Sequence, residues 1–426
     1  MQKIKETIPM LLPMIVTFYH IYPQALNVAG SSFILLSGPL GLALYAYHRF
    51  PFKEAILLLA GLAIMFLTFY MSGWINNTTT HMMFGYPRSQ VAWFFSSYLI
   101  VFLIFAIHKR PTINTVLLYI SAAVGLQALI ALGMNTNEAI HDFFFSLQMQ
   151  VEYTEAIMEE GGSQRVMGYG IGFFGAGALS GLGLVTISYL LIRMDLKPIG
   201  FFLLVTTYVL IFYIGVFMAR TTIVGMAVGL GLIGILYLWD NKANIKQAKT
   251  FFLSSIFLMI GGYFFVMATF PHFADWAFEL FINFVERGEL TTTSSQGLSG
   301  MFRIPKDVHT ILYGTGSMDF QGTDVGYSRM MYWVGIPGAL YFYLYQFYIA
   351  KLSFTKDWGI NSISIAIFLY AFILNFKGWI DLNLVLFIIF FYFMFYKYYV
   401  YLPKQEALQK TIGDIKREKR ALNKMR

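Results

Sequence analysis

Long apolar runs separated by short polar ones make up almost the whole chain, and the length of those runs decides its class. A helix rises about 1.5 Å per residue, so roughly 20 apolar residues cross the hydrocarbon core of a bilayer. Runs of this kind recur at Thr7–Leu26, Ser32–His48, Ala55–Trp74, Val91–Ile107, Thr115–Met134 and Met167–Ile192. They continue at Ile199–Ala219, Thr221–Trp239, Thr250–Phe270, Met330–Ala350, Ile360–Lys377 and Leu382–Leu402. The pattern predicts an all-α, polytopic integral membrane protein of about twelve transmembrane helices, forming a single membrane domain over residues 1–426.

Two polar intervals are too long to be simple connections. The first, Asn135–Val166, carries Phe143, Phe144, Leu147 and Val151 at helical spacing and is expected to hold a helix. The second, Pro271–Arg329, opens with a helical pattern over Phe273–Glu286 and passes through the polar run Thr291–Gly297. It closes on Leu312-Tyr313-Gly314-Thr315-Gly316. Long loops in compact proteins tend to carry function. A subtler break lies between Ile199 and Trp239, where two apolar helices run back to back except for Ala219-Arg220-Thr221-Thr222. An arginine near a hydrocarbon boundary is costly and is therefore paired, snorkelling or functional.

Composition agrees with the pattern: 58% of the 426 residues are hydrophobic and only 12% are charged, far from a soluble protein. The net charge of +8 does not point to nucleic acid, because the positive residues fall in short clusters between spans. These are Arg49 with Lys53, Lys109 with Arg110, Arg193 with Lys197, Lys242–Lys249, and Lys351 with Lys356. With twelve spans all of them share one side, the positive-inside signature, and both termini are expected to be cytoplasmic. The tail 404–426 joins that side as a basic amphipathic helix with Leu408, Ile412, Ile415 and Leu422 near one face, an electrostatic anchor to the inner leaflet. The opposite side carries the acidic run Glu138, Asp142, Glu152, Glu155, Glu159 and Glu160. Lys3 and Lys5 precede an apolar run without a small-x-small cleavage site, so the first span is expected to be retained.

Several chemistries are excluded or unsupported. The chain has no cysteine, which removes disulfides, thiolate catalysis and cysteine-ligated metals. No cluster of histidines and carboxylates stands at metal-ligand intervals, so neither a metal nor a cofactor is expected. Gly177 with Gly181, and Gly225 with Gly229, form small-xxx-small patterns whose plain meaning is close helix packing. The glycines from Gly168 to Gly175 lie beside Arg165, where exposed backbone N–H groups would suit a phosphate.

Cations expected on the outer side are few: Arg88, Arg165, Arg220, Arg287, Arg303, Lys306 and Arg329, with Lys377 at the end of a span. Arginine suits pyrophosphate, because its planar fork makes two parallel charge-assisted hydrogen bonds and stays charged when partly desolvated. For Arg88 and Arg287 a structural ion pair is the simpler reading. Arg220 is the strongest candidate for function because of its costly location.

The motifs Arg220-Thr221-Thr222, Tyr313-Gly314-Thr315-Gly316 and Thr323-Asp324-Val325-Gly326-Tyr327-Ser328-Arg329, the last running into Gly335-Ile336-Pro337-Gly338, resemble O-antigen polymerases. The resemblance covers the whole topology through short matches. It implies a GT-C-like bundle, related to that of O-antigen ligases, with two large periplasmic loops (135–166 and 271–329) in the bacterial inner membrane. Members of that family carry an arginine and a glycine with ten residues between them in two outer loops. Arg220 with Gly231 and Arg303 with Gly314 have that spacing, although Gly231 falls within the eighth apolar run. Arg165 departs from it, since Ala176 stands at the matching position. The ligase branch usually has a histidine where this chain has Asp324, which favours a polymerase.

What the resemblance implies is transfer of a growing glycan from undecaprenyl pyrophosphate to a lipid-linked repeat unit. The partners are then undecaprenyl-pyrophosphate-linked oligosaccharides, membrane lipids and a chain-length regulator, with no nucleic acid. Arg220 and Arg303, with Arg165 as a third, would stabilise the negative charge on the leaving pyrophosphate without a metal. Asp324 would be the general base, with His309 as the alternative. Tyr327 and Arg329 would bind lipid phosphate or mark the membrane interface. Glycosyltransferases of this fold that use a metal carry acidic residues in the first outer turn, and Asn27–Ser31 has none. A lipid-linked oligosaccharide flippase or an O-antigen ligase is the competing reading. A flippase would place its cations mid-membrane, whereas these stand in outer loops or at the outer interface.

Overall fold

A computed structural model describes residues 2–78, 81–149, 165–269, 278–279, 282–289, 291–292, 296–298 and 300–404. The chain is mostly helical, and a helix falls on each of the twelve apolar runs. These are α1 (Gln2–Ile21), α2 (Ile34–Tyr47), α3 (Lys53–Ile75), α4 (His81–His108) and α5 (Ile113–Thr136). The short α6 (Glu138–Leu147) precedes α7 (Phe173–Arg193), α8 (Pro198–Met218), α9 (Thr222–Trp239) and α10 (Ile245–Thr269). Then come the short α11 (Val308–Tyr313), α12 (Gly326–Leu352), α13 (Trp358–Leu374) and α14 (Asn383–Phe395), the last continuing through a π-helical stretch, Tyr396–Tyr401.

Among the described residues, seven helices are long and apolar enough to cross a membrane, and three shorter apolar stretches accompany them. Phe202 and Leu203 on α8 and Leu253 and Phe257 on α10 lie exposed, as side chains facing lipid must. At the other extreme, 94% of the apolar window of α7 is buried, which makes it an inner helix of the bundle. α14 is its counterpart, with every residue from Asn383 to Phe395 buried. α7 packs on α9, α8 and α5, while α14 packs on α4.

Small residues explain how tightly α7 and α9 approach. A Cβ added at Gly225 would stand 2.2 Å from the Gly181 Cα, so the two backbones touch where a side chain on either would hold them apart. Helix starts follow local chemistry. Thr112 and Thr115 cap α5 reciprocally, Asn137 accepts the Ile140 N–H at the start of α6, and Pro198 opens α8. α1 and α2 are joined by a two-residue hairpin at Ala29-Gly30, both at positive φ, between the strands Asn27–Val28 and Ser31–Ser32.

Several expected boundaries shift. The run expected from Met167 becomes helical only at Phe173, because residues 168–171 fold into a tight turn bridged between Gly168 and Ile171. α13 stops at Leu374, not Lys377, since Asn375 turns the chain and its side chain donates to the Ala371 and Ile380 carbonyls. The helix expected in the first long interval is α6, while Val151 lies outside the described residues. In the second, residues 278–279 and 282–287 are helical, and the start expected at Phe273 lies outside the described residues. So does the tail beyond Lys404, with its expected amphipathic helix.

Candidate functional site

Arg220 sits in the turn between α8 and α9, and the turn explains why it can be there. Ala219 leaves α8 in an extended conformation, and the N–H groups of Thr222 and Ile223 then donate back to the carbonyls of Ala219 and Arg220. The Thr222 hydroxyl donates to the Gly177 carbonyl, pinning the turn to α7. The arginine side chain is only 11% exposed, and its Nη1 donates to Glu279 Oε2 in a close ion pair. Glu279 reaches it because the neighbouring Phe278 is buried between Tyr213 and Tyr263, with ring centroids 6.3 and 5.3 Å away.

Two further cations gather at the same place from distant parts of the chain. Arg165 precedes the turn into α7 and lies over the Phe173 ring at 5.3 Å. Lys377 stands in the turn between α13 and α14. Burial pushes the Lys377 ammonium below the ordinary lysine value, and Arg220 and Arg165 push it further, against the opposing pull of Asp324. Burial likewise lowers Arg165, with Arg220 adding to it. Three like charges from three separate turns thus share one electrostatic neighbourhood.

Asp324 links this cluster to the other candidates. Its Oδ1 accepts from Arg329 Nη2 at 3.1 Å, while Arg329 Nε donates to the Thr323 carbonyl and its guanidinium covers the Phe320 ring at 4.9 Å. Arg303 is exposed. Its backbone N–H donates to Ser328 Oγ, and its guanidinium lies beside Gly322, where an added Cβ would stand 3.0 Å from Nη1. Tyr327 is turned inward: its hydroxyl donates to the Phe372 carbonyl and its ring packs on Tyr343, Phe372 and Phe376. His309 stands apart on the exposed α11, edge-on to Tyr313. Among the described residues no hydrogen bond or ion pair joins it to the other candidates.

Tyr313-Gly314-Thr315-Gly316 is an anchor. The Thr315 and Gly316 N–H groups donate to the Tyr332 and Trp333 carbonyls, which α12 leaves open where it kinks at Gly335. Gly314 has a φ of 74°, and a Cβ there would stand 2.4 Å from the Trp333 carbonyl oxygen. From α3, Ser72 donates to the Tyr313 and Trp333 carbonyls and Asn76 to that of Gly314. The two arginine–glycine spacings therefore differ in kind. Gly314 is required by its backbone, whereas Gly231 is an exposed mid-helix residue with open space where a Cβ would go. Of the glycines after Arg165, Gly170 donates its N–H to Gln148 and presses against Ala25, whereas a Cβ at Gly172 would meet open space.

Among α8, α9 and α10 opens a mostly apolar cavity of about 520 Å³. α8 contributes Tyr213, α9 Met226, α10 Met259 and Tyr263, and Phe278, Ile282 and Glu286 complete the wall. Tyr213 and Met226 lie seven and six residues from Arg220 on its two flanking helices, an axial backbone separation of roughly 10 Å. Sequence reasoning missed this cavity and the central position of Lys377. The only signal for Lys377 was its place at the end of an apolar run. Asp381 was also missed. It accepts from Tyr86, Gln90 and the Asn383 N–H, and burial raises its carboxyl although those bonds oppose the shift. It ties the turn before α14 to α4.

No family model, no curated protein and no solved structure matches the chain.

Proposed function

We propose that the chain is a surface-polysaccharide polymerase of the O-antigen class, working without a metal at the periplasmic face of the bacterial inner membrane. About twelve spans, cytoplasmic termini and two periplasmic loops complete that reading. The observation that carries it is the convergence of Arg165, Arg220 and Lys377 at one end of the bundle, where burial and mutual repulsion mark a place suited to a multiply charged anion. In the proposed reaction an acceptor hydroxyl attacks the anomeric carbon of the donor glycan. The new C–O bond forms as the bond to pyrophosphate breaks, the hydroxyl proton passes to Asp324, and undecaprenyl pyrophosphate leaves with the electron pair. The cations stabilise that developing charge. Arg329 orients the Asp324 carboxylate, and Arg303 borders the same loop on the acceptor side.

Purified protein supplied with a synthetic lipid-pyrophosphate repeat unit in EDTA should produce a ladder of longer lipid-linked glycans, and Arg220→Ala should abolish it. Absence of a ladder with a substrate shown to bind would shift the assignment to a ligase or a flippase.

A further inference from the structure

The proposed reaction makes no use of the cavity among α8, α9 and α10, and the lining residues fix its depth. Tyr213 stands five residues before the end of α8, Met226 four after the start of α9, and Tyr263 six before the end of α10. At about 1.5 Å per residue, all three lie roughly 6–9 Å inside one end of the bundle. That is the depth at which head groups give way to acyl chains. The wall is not sealed by the bundle: Ile260, Phe264 and Val285 line it and are 53%, 65% and 82% exposed. An apolar hollow of about 520 Å³ that opens sideways at this depth takes hydrocarbon. The lining nevertheless carries one charge among the described residues, the exposed Glu286. No hydrogen bond or ion pair among those residues engages its carboxylate.

We propose that the cavity binds an acyl chain of phosphatidylethanolamine, with Glu286 holding the ammonium of its head group. The carboxylate decides which head fits. It repels an anionic head, and it finds no N–H donor on the quaternary ammonium of phosphatidylcholine. A primary ammonium offers it charge-assisted hydrogen bonds. Arg287, next in the chain and exposed, offsets the phosphate that the same head group carries. Phe278 stands in the same wall, so the bound chain also packs against the residue that brings Glu279 to Arg220. Placing this lipid in the outer leaflet rests on the proposed topology, whereas its binding does not.

The test uses the purified full chain, stripped of lipid in detergent and given an equimolar mixture of three dioleoyl lipids: phosphatidylethanolamine, phosphatidylcholine and phosphatidylglycerol. Native mass spectrometry reads which lipid stays bound. Phosphatidylethanolamine should be retained over phosphatidylcholine by roughly two- to fivefold, the range expected of one exposed charge pair. Equal retention would overturn the proposal, as would preference for phosphatidylglycerol, which would put the head on Arg287 instead. Glu286→Gln keeps the side-chain shape at an exposed position and should abolish the preference. A preference that survives it places the head elsewhere and overturns the assignment. Met226→Trp fills the cavity and should lower phosphatidylethanolamine retention by one molecule per chain, whereas unchanged retention would show that no chain enters. If Met226→Trp does not fold, Ile260→Trp, at an exposed wall position, takes its place with the same two outcomes.

Discussion

The two ends of α7 both pair an arginine with carboxylate, but they differ in how many cations are left over. At its C-terminus Arg193, 7% exposed, donates to Asp240 at 2.7 Å and to both oxygens of Asp357 at 3.1 and 3.2 Å. Lys242 completes the group with a 2.6 Å bond to Asp357, so two cations meet two carboxylates. Burial raises the Asp357 carboxyl, but Lys242 and Arg193 outweigh it and hold the group below its ordinary value. About 30 Å away along the helix, the other end gathers Arg165, Arg220 and Lys377, where burial first and the neighbouring cations second lower Arg165 and Lys377. A neutralised cluster ties α7, α9 and α13 together. The other end sets three cations against Glu279, which pairs with Arg220, and Asp324, an excess of positive charge that suits the anion proposed above.

The largest effect that would break this contrast is at the neutral end. Arg193→Ala leaves the nearly buried Asp240 without its partner and is expected to cost about 3–5 kcal/mol, as for other broken buried pairs. Thermal unfolding in detergent measures it, and Arg220→Ala should cost far less while removing anion binding. Comparable destabilisation by both would make Arg220 another structural node.

A second test separates the two arginine–glycine spacings. Gly314→Ala forces a Cβ onto a backbone with positive φ against Trp333 and should cost about 1–3 kcal/mol. Gly231→Ala meets open space in a helix and should stabilise by up to about 1 kcal/mol. Polymerisation is expected to suffer only in the first. Loss of activity with unchanged stability in Gly231→Ala would restore a functional meaning to that glycine.

The subtlest prediction concerns pH. Because the folded lysine value of Lys377 is lowered, the unfolded chain binds more protons between that value and about 10.4, so stability of the free protein rises with pH across that window. Anion binding runs the other way and is lost as pH rises through the lowered value. Lys377→Arg, which stays charged, should carry binding to higher pH, and a titration of lipid affinity against pH checks it. An alkaline limb unmoved by that change would exclude Lys377 from the site.

Apolar run length alone determined the helices, because covering backbone polar groups in hydrocarbon leaves a chain of this composition few alternatives. The same reasoning singled out Arg220, since a charge beside an apolar run is expensive wherever the run folds. The spacings Gly177 with Gly181 and Gly225 with Gly229 were legible as faces that permit close approach, though not that Gly181 and Gly225 meet. Other features depended on contacts between residues far apart in sequence. Lys377 joins Arg165 and Arg220 only because the α13–α14 turn comes to rest beside those before α7 and α9. Glu279 meets Arg220 across 59 residues because Phe278 finds a buried place between Tyr213 and Tyr263. Local pattern reports what each segment must bury. Which charges then become neighbours is decided by how the helices pack, and no period in the sequence encodes that.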